Sequence, residues 1–270
     1  MKVKVLVAGL ALVAAGNANA LINTGSTSSG ELFLSVLDQT AQVSYSQDLN
    51  IDLSGFLTNT SVGGFNSNAS WSVALSPAWS SFFNAANAGS IVYNVAATDL
   101  DNGKLNSLDQ TYGYLSSFKT SNPAPVPANN VAVVSTPGQE IASRALMYNA
   151  NPADAEAYTP AAAAYYGNTW GNTFNTKVPT TQNNEGLFNQ VLNAVFHGLS
   201  STLGVDQDTG DFFVQDRFDV LPGQFQLTAS ELKYTVAPTA AVPVPAAAWL
   251  FGAALTTLVG ANRRRRVLPV

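Results

Sequence analysis

The residues of this chain that could do chemistry are few and scattered. His197 is the only histidine, and Ser200 and Ser201 follow it closely. A nucleophilic triad needs its histidine oriented by an acid and placed beside the nucleophile. The run Gly198-Leu199-Ser200-Ser201-Thr202 is not a nucleophile elbow. His197 is expected to face solvent near a helix end, and no residue is assigned a catalytic role. Two segments carry alternate aspartates ahead of a glycine: Asp99-Leu100-Asp101-Asn102-Gly103 and Asp206-Gln207-Asp208-Thr209-Gly210-Asp211. Such spacing can converge oxygens on a calcium ion. Gly210 falls one position early for an EF-hand loop, however, and no glutamate follows at the twelfth position. The metal candidates are therefore Asp99, Asp101, Asp206, Asp208 and Asp211, set against the plainer reading that Asp and Gly form turns. The expectation is no metal and no cofactor.

Trp170, Tyr165 and Tyr166 lie in an Asn- and Gly-rich stretch. Exposed, they could stack on sugar rings; otherwise they are packing residues. Asn59-Thr60-Ser61 and Asn68-Ala69-Ser70 match the glycosylation acceptor pattern. Paired carboxylates for glycoside cleavage can be imagined in any acidic chain, and nothing here singles out a pair.

Composition narrows the classes further. The 270 residues contain no cysteine, which excludes disulfides, catalytic thiols and cysteine-ligated zinc. The net charge of −5 understates the acidity of the body. Six of the twelve bases are Lys2, Lys4 and Arg263, Arg264, Arg265 and Arg266, at the two ends. The body keeps Lys104, Lys119, Arg144, Lys177, Arg217 and Lys233 against all seventeen acids, a net of −11. That argues against nucleic acid as a partner, which wants a basic face.

The elements that must position these residues read mainly as strands. Glu31 to Leu37 is a near-continuous apolar run. Val43 and Tyr45, then Trp71, Val73 and Leu75, then Ile91, Tyr93 and Val95, alternate with polar residues. A period of two puts one face in a core and the other in water. Gly55, Gly63-Gly64 and Asp101-Asn102-Gly103 punctuate these runs as turns. Pro77 to Ala86 predicts a short helix that carries Trp79, Phe82 and Phe83 inward. Asn122 to Pro127 is an extended loop, Glu140 to Tyr148 a second short helix, and Asn151 to Thr180 irregular. Glu185 to Leu199 predicts the clearest helix: Leu187, Val191, Val195 and Leu199 recur at four, as do Phe188, Leu192 and Phe196. Asn183 or Asn184 would cap it and Gly198 sits near its end. Asp211 to Val214, Gln224 to Leu227 and Leu232 to Val236 close the fold as strands, and Ala237 to Ala241 link to the tail. The fold class is mainly β, a single sandwich-like domain with one packed amphipathic helix and short helical insertions.

The two ends carry the address. Residues 1–20 read as a signal peptide: Lys2 and Lys4, an apolar run from Val5 to Ala15, and small residues Ala18-Asn19-Ala20 for cleavage after Ala20 by signal peptidase. Residues 21–241 form the exported body. Residues 242–266 have three parts. Val242-Pro243-Val244-Pro245 is held extended by its prolines. Ala246 to Ala261 is apolar and uncharged, about 16 residues against the roughly 20 that usually span a bilayer. Arg263 to Arg266 should stay in the cytoplasm. This tail resembles the PEP-CTERM sorting signal, in the variant with an aliphatic residue between the prolines. The resemblance covers about 25 residues of the tail. It implies handling by exosortase, a membrane-embedded cysteine transpeptidase, transient inner-membrane anchoring, and a place at the cell surface in exopolysaccharide and biofilm. The function expected is non-enzymatic, a structural or adhesive matrix protein. A module binding exopolysaccharide, with or without calcium, and a secreted hydrolase remain as alternatives.

Overall fold

The computed structural model describes residues 12–13, 21–25, 29–101, 112–119, 132–149, 155–169, 174, 184–200 and 215–237. Its strands are β1 (Leu12–Val13), β2 (Glu31–Asp38), β3 (Val43–Asp52), β4 (Trp71–Ala74), β5 (Val92–Asp99), β6 (Gly113–Phe118), β7 (Ala155–Tyr158), β8 (Gly186–Leu187), β9 (Val191–Ser200), β10 (Gln215–Leu227) and β11 (Glu231–Val236). The helices are α1 (Leu53–Thr58), α2 (Ala78–Ala85), α3 (Ala132–Asn149) and α4 (Tyr166–Thr169). The fold is mainly β.

The described strands form one hydrogen-bonded sheet in the order β1-β4-β11-β10-β9-β6-β5-β2-β3-β7, with β8 on β5. Every pairing is antiparallel except that of β1 with β4. β1 lies within the stretch read as the signal peptide. The sheet curls, so that strands remote in its order meet: Gln47 on β3 donates its side-chain amide to the Ala74 carbonyl on β4 at 3.1 Å. Inside the curl, Leu32, Leu34, Val36, Tyr45, Tyr93, Leu115, Phe196, Phe225 and Tyr234 join one apolar core. Trp71 stands in it, 5.2 Å from the Tyr234 ring and 6.3 Å from that of Phe56 on α1. α2 adds Trp79 and Phe82, both buried as predicted, with Phe83 partly so.

The opposite face of the sheet is not in water. Ser35, Ser44, Ser46, Asn94, Thr98 and Ser116 are all buried. Here α3 and the Tyr158–Phe174 region supply a second cluster, with Ile141, Ala145, Tyr148, Tyr158, Tyr165, Tyr166 and Phe174. The polar positions of the alternation therefore mark a second interior, in which each hydroxyl needs a partner.

Glu185 to Leu199 is not a helix. It forms β8, a tight turn at Phe188 to Gln190 with Asn189 at φ 65°, and β9. A spacing of four is two periods of a strand as well as nearly one turn of a helix, so the pattern fits both. In β9, Leu192, Ala194 and Phe196 face the first core, while Leu199 reaches the second. Val191, Val195 and Phe196 are strand formers, and β9 lies between β6 and β10 with both faces covered. The long helix is α3 instead. It begins eight residues before the predicted Glu140, because Pro137-Gly138 reads as a break yet lies inside it.

Two smaller corrections have clear local causes. Gly55 lies inside α1, where Asp52 caps the helix by accepting the Gly55 N–H at 2.7 Å. The stretch read as irregular contains β7, paired with β3, and α4. β11 occurs as expected, whereas β10 contains the expected Gln224 to Leu227 but starts nine residues earlier, at Gln215. β10 accommodates Pro222 at a register shift between Val220 and Gln224, where a strand tolerates proline. The expected loop at residues 122–127 and strand at 211–214 lie outside the described residues. Among the described residues, no helix is long and apolar enough to cross a membrane.

Gly113 opens β6 at φ 152°, where a Cβ would lie 2.3 Å from the His197 carbonyl oxygen and 2.6 Å from the Gly198 Cα. Both are backbone atoms that cannot swing aside. Gly113→Ala is expected to destabilise the fold by about 1–3 kcal/mol, the usual cost of overpacking. Gly89→Ala, with nothing within 4 Å of its would-be Cβ, should stay within about 0.5 kcal/mol. Paired denaturant melts check both.

Candidate functional site

The most unusual group in the described chain is Arg144. It sits on the sheet-facing side of α3 with Ile141, Ala145 and Tyr148, three or four residues apart, and is 1% exposed. Its Nη2 donates to Asn94 Oδ1 on β5 at 3.1 Å. The Tyr166 hydroxyl hydrogen-bonds to the same guanidinium. The ring centroids of Phe33 and Phe174 lie 5.2 and 5.6 Å from its central carbon. Among the described residues, no carboxylate forms an ion pair with it.

The surroundings form a connected polar centre. Asn94 shares its amide protons among Ser116 Oγ at 2.9 Å, Ser117 Oγ at 3.0 Å and the Asn184 carbonyl at 2.6 Å. Asn184 donates to the Phe174 carbonyl at 3.2 Å, and the Phe174 N–H donates to Glu185 Oε2 at 2.7 Å. Tyr148 donates to Ser35 Oγ at 2.9 Å, and Tyr158 pairs with Ser46 at 3.1 Å. Burial raises the pKa of both Tyr148 and Tyr166, and the Arg144 charge only partly opposes it, so both phenols stay protonated near neutral pH. Burial also raises the Glu185 carboxyl, with the Phe174 N–H and Lys119 pulling it back. The arrangement is a cation held in an aromatic and hydroxyl box. Its cation could meet an anionic or carbonyl group.

The residues singled out from sequence fall elsewhere. His197 is buried, not solvent-facing, because β9 turns it onto the second face between β6 and β10. Its Nδ1 lies 3.0 Å from the Tyr114 hydroxyl, and its ring packs edge-on to Tyr114 and Phe218. Tyr165 and Tyr166 are buried in the second cluster, so neither offers a sugar-stacking surface. Asp99 is buried at the end of β5, and its Oδ1 accepts the Asp101 N–H at 3.4 Å, a turn-forming contact. Among the described residues, no three potential ligands gather to hold a metal. Asn59 and Asn68 are both exposed and adjacent, the Asn68 amide donating to Asn59 Oδ1 at 3.0 Å. Ala18, Ala20, Trp170, Asp206, Asp208, Asp211, Val242, Pro243, Pro245 and Arg263 to Arg266 lie outside the described residues.

No protein family, no curated protein and no solved structure matches this chain.

Two predictions follow from the polar centre. Asn94→Ala takes the acceptor from a buried guanidinium and should cost about 2–3 kcal/mol, whereas Tyr148→Phe removes one neutral hydrogen bond and should cost about 1 kcal/mol; denaturant melts separate the two. Glu185 has a folded-state pKa above its unfolded value, so its favourable contribution is complete at acid pH and fades as pH rises through the folded pKa. Glu185→Gln should therefore raise the melting temperature at neutral pH and lose that advantage in acid, as a melting series across pH would show.

Proposed function

We propose that this chain is an exported, non-enzymatic protein of the cell surface or extracellular matrix, sorted through its tail. The observation that carries the reading is the order of parts in the tail: the Val242-Pro243-Val244-Pro245 step, the apolar run to Ala261, then Arg263 to Arg266. An extended dipeptide step suits a protease cleft, an apolar segment holds the chain in a membrane, and four arginines resist crossing it. The signal-like start at Lys2 to Ala20 was read from different residues and gives the same direction of travel.

In this reading, signal peptidase removes residues 1–20 and the body folds outside. The tail lodges briefly in the inner membrane, and an exosortase acts near Pro243 to Pro245. The body then joins a biofilm or exopolysaccharide matrix as a structural or adhesive part. The sandwich-like description of the body belongs here too, and what supports it is the curl that brings β3 against β4 around the first core. Seventeen acids against six bases would keep such a body soluble in that setting.

Replacing Arg263 to Arg266 with glutamate is expected to block processing of the tail, while deleting Val267 to Val270 should change little. Fractionation and the size of the product in the producing cell read both outcomes. Normal processing after charge reversal would overturn the reading.

A further inference from the structure

We infer that the Arg144 guanidinium is the protein half of a buried anion site, which takes a small monovalent anion at its Nε edge beneath α3. Directional bonding leaves that edge over. Nη2 is used by Asn94 and the Tyr166 hydroxyl takes a second contact, while the faces of the guanidinium are against Phe33 and Phe174. Nε is buried with no acceptor among the described residues. A single buried water would satisfy that N–H but would leave the charge uncompensated.

Charge decides the matter more than the hydrogen bond does. Taking an ion out of water is costly even after relaxation. A desolvated cation–π contact returns only part of that cost, and neutral acceptors such as Asn94 Oδ1 add less than a carboxylate would. A buried charge with ample partners stands elsewhere in the same fold. The buried Asp38 accepts from the Thr40, Ala41 and Asn87 N–H groups and from Ser90 Oγ. An anion at Nε of Arg144 supplies both the missing acceptor and the missing charge.

Burial sets the size of the ligand. At 1% exposure, Arg144 cannot meet a carboxylate carried on a polysaccharide chain. An ion of the size of chloride or formate can enter through local opening. The inference is thus independent of the surface-protein reading.

The test uses the full-length chain in non-ionic detergent, with chloride, formate and gluconate compared at equal ionic strength. Chloride and formate are the inorganic and carboxylate sources of the same chemistry, and gluconate is the bulky control. The expected result is a melting temperature that rises by several degrees and saturates with chloride, formate or both, and no such rise with gluconate. In Arg144→Met, whose apolar stem suits the Phe33 and Phe174 rings, that dependence should vanish. Should this variant fail to fold, the wild-type Nε–H NMR resonance protected from exchange decides: it should shift at least as far with chloride or formate as its linewidth. The inference fails if wild type shows no anion-specific rise, if the rise persists in Arg144→Met, or if the protected resonance does not move.

Discussion

The contact between Arg144 and Asn94 ties together the two halves of this molecule. α3 sets Val134, Ile141, Ala145 and Tyr148 against a face where Phe33, Leu37 and Ala96 stand among buried serines and Asn94. Charged and hydroxyl partners add to that apolar burial, with Arg144 reaching Asn94 and Tyr148 reaching Ser35. Three of the second cluster's tyrosines follow the same rule: the rings of Tyr148, Tyr158 and Tyr166 are buried, and their hydroxyls reach Ser35, Ser46 and the guanidinium. The first core obeys ordinary hydrophobic packing, with Trp71, Phe225 and Tyr234 in mutual ring contact. The body thus has two interiors with different chemistries, back to back across one sheet.

That division explains what could be read from the chain and what could not. β3, β4 and β5 were legible because apolar residues recur at every second place, and β2 because its apolar run is near-continuous. What lies against the other parity was not legible. A serine at every second place has the same pattern whether it meets water or a tyrosine hydroxyl from far along the chain. β9 was misread for a related reason, since Val191, Val195 and Leu199 at intervals of four satisfy both geometries. Only its place between β6 and β10 resolves the ambiguity, and a place in a sheet is not a local property.

The candidate site was almost invisible for the same cause. Arg144 entered the sequence reading as one of six body bases, and Asn94 as a polar residue between Tyr93 and Val95. One signal was available: Arg144 shares a helical face with Ile141, Ala145 and Tyr148, an odd company for a solvated cation. His197 gave the opposite error, because a helical wheel assigned it to solvent and strand parity buries it beside Tyr114. The aspartates at Asp99 and Asp101 were read with both meanings open, and the contact between them is the turn-forming one.

The strand order also fixes when the fold can exist. β4, formed by Trp71 to Ala74, has its antiparallel partner in β11, at Glu231 to Tyr234. The Tyr234 hydroxyl bonds back to the Ser67 carbonyl and to the Gly223 N–H, and the Ser70 hydroxyl accepts the Val236 N–H. The first core is therefore closed by the last strand described before the tail. In a chain made or moved from its amino end, early strands must wait for that closure with their apolar faces open, and pairings so remote in sequence form slowly. Completion of the sheet and arrival of the tail become one event. A chain cut short of Val236 is not a smaller version of this protein but an unclosed one.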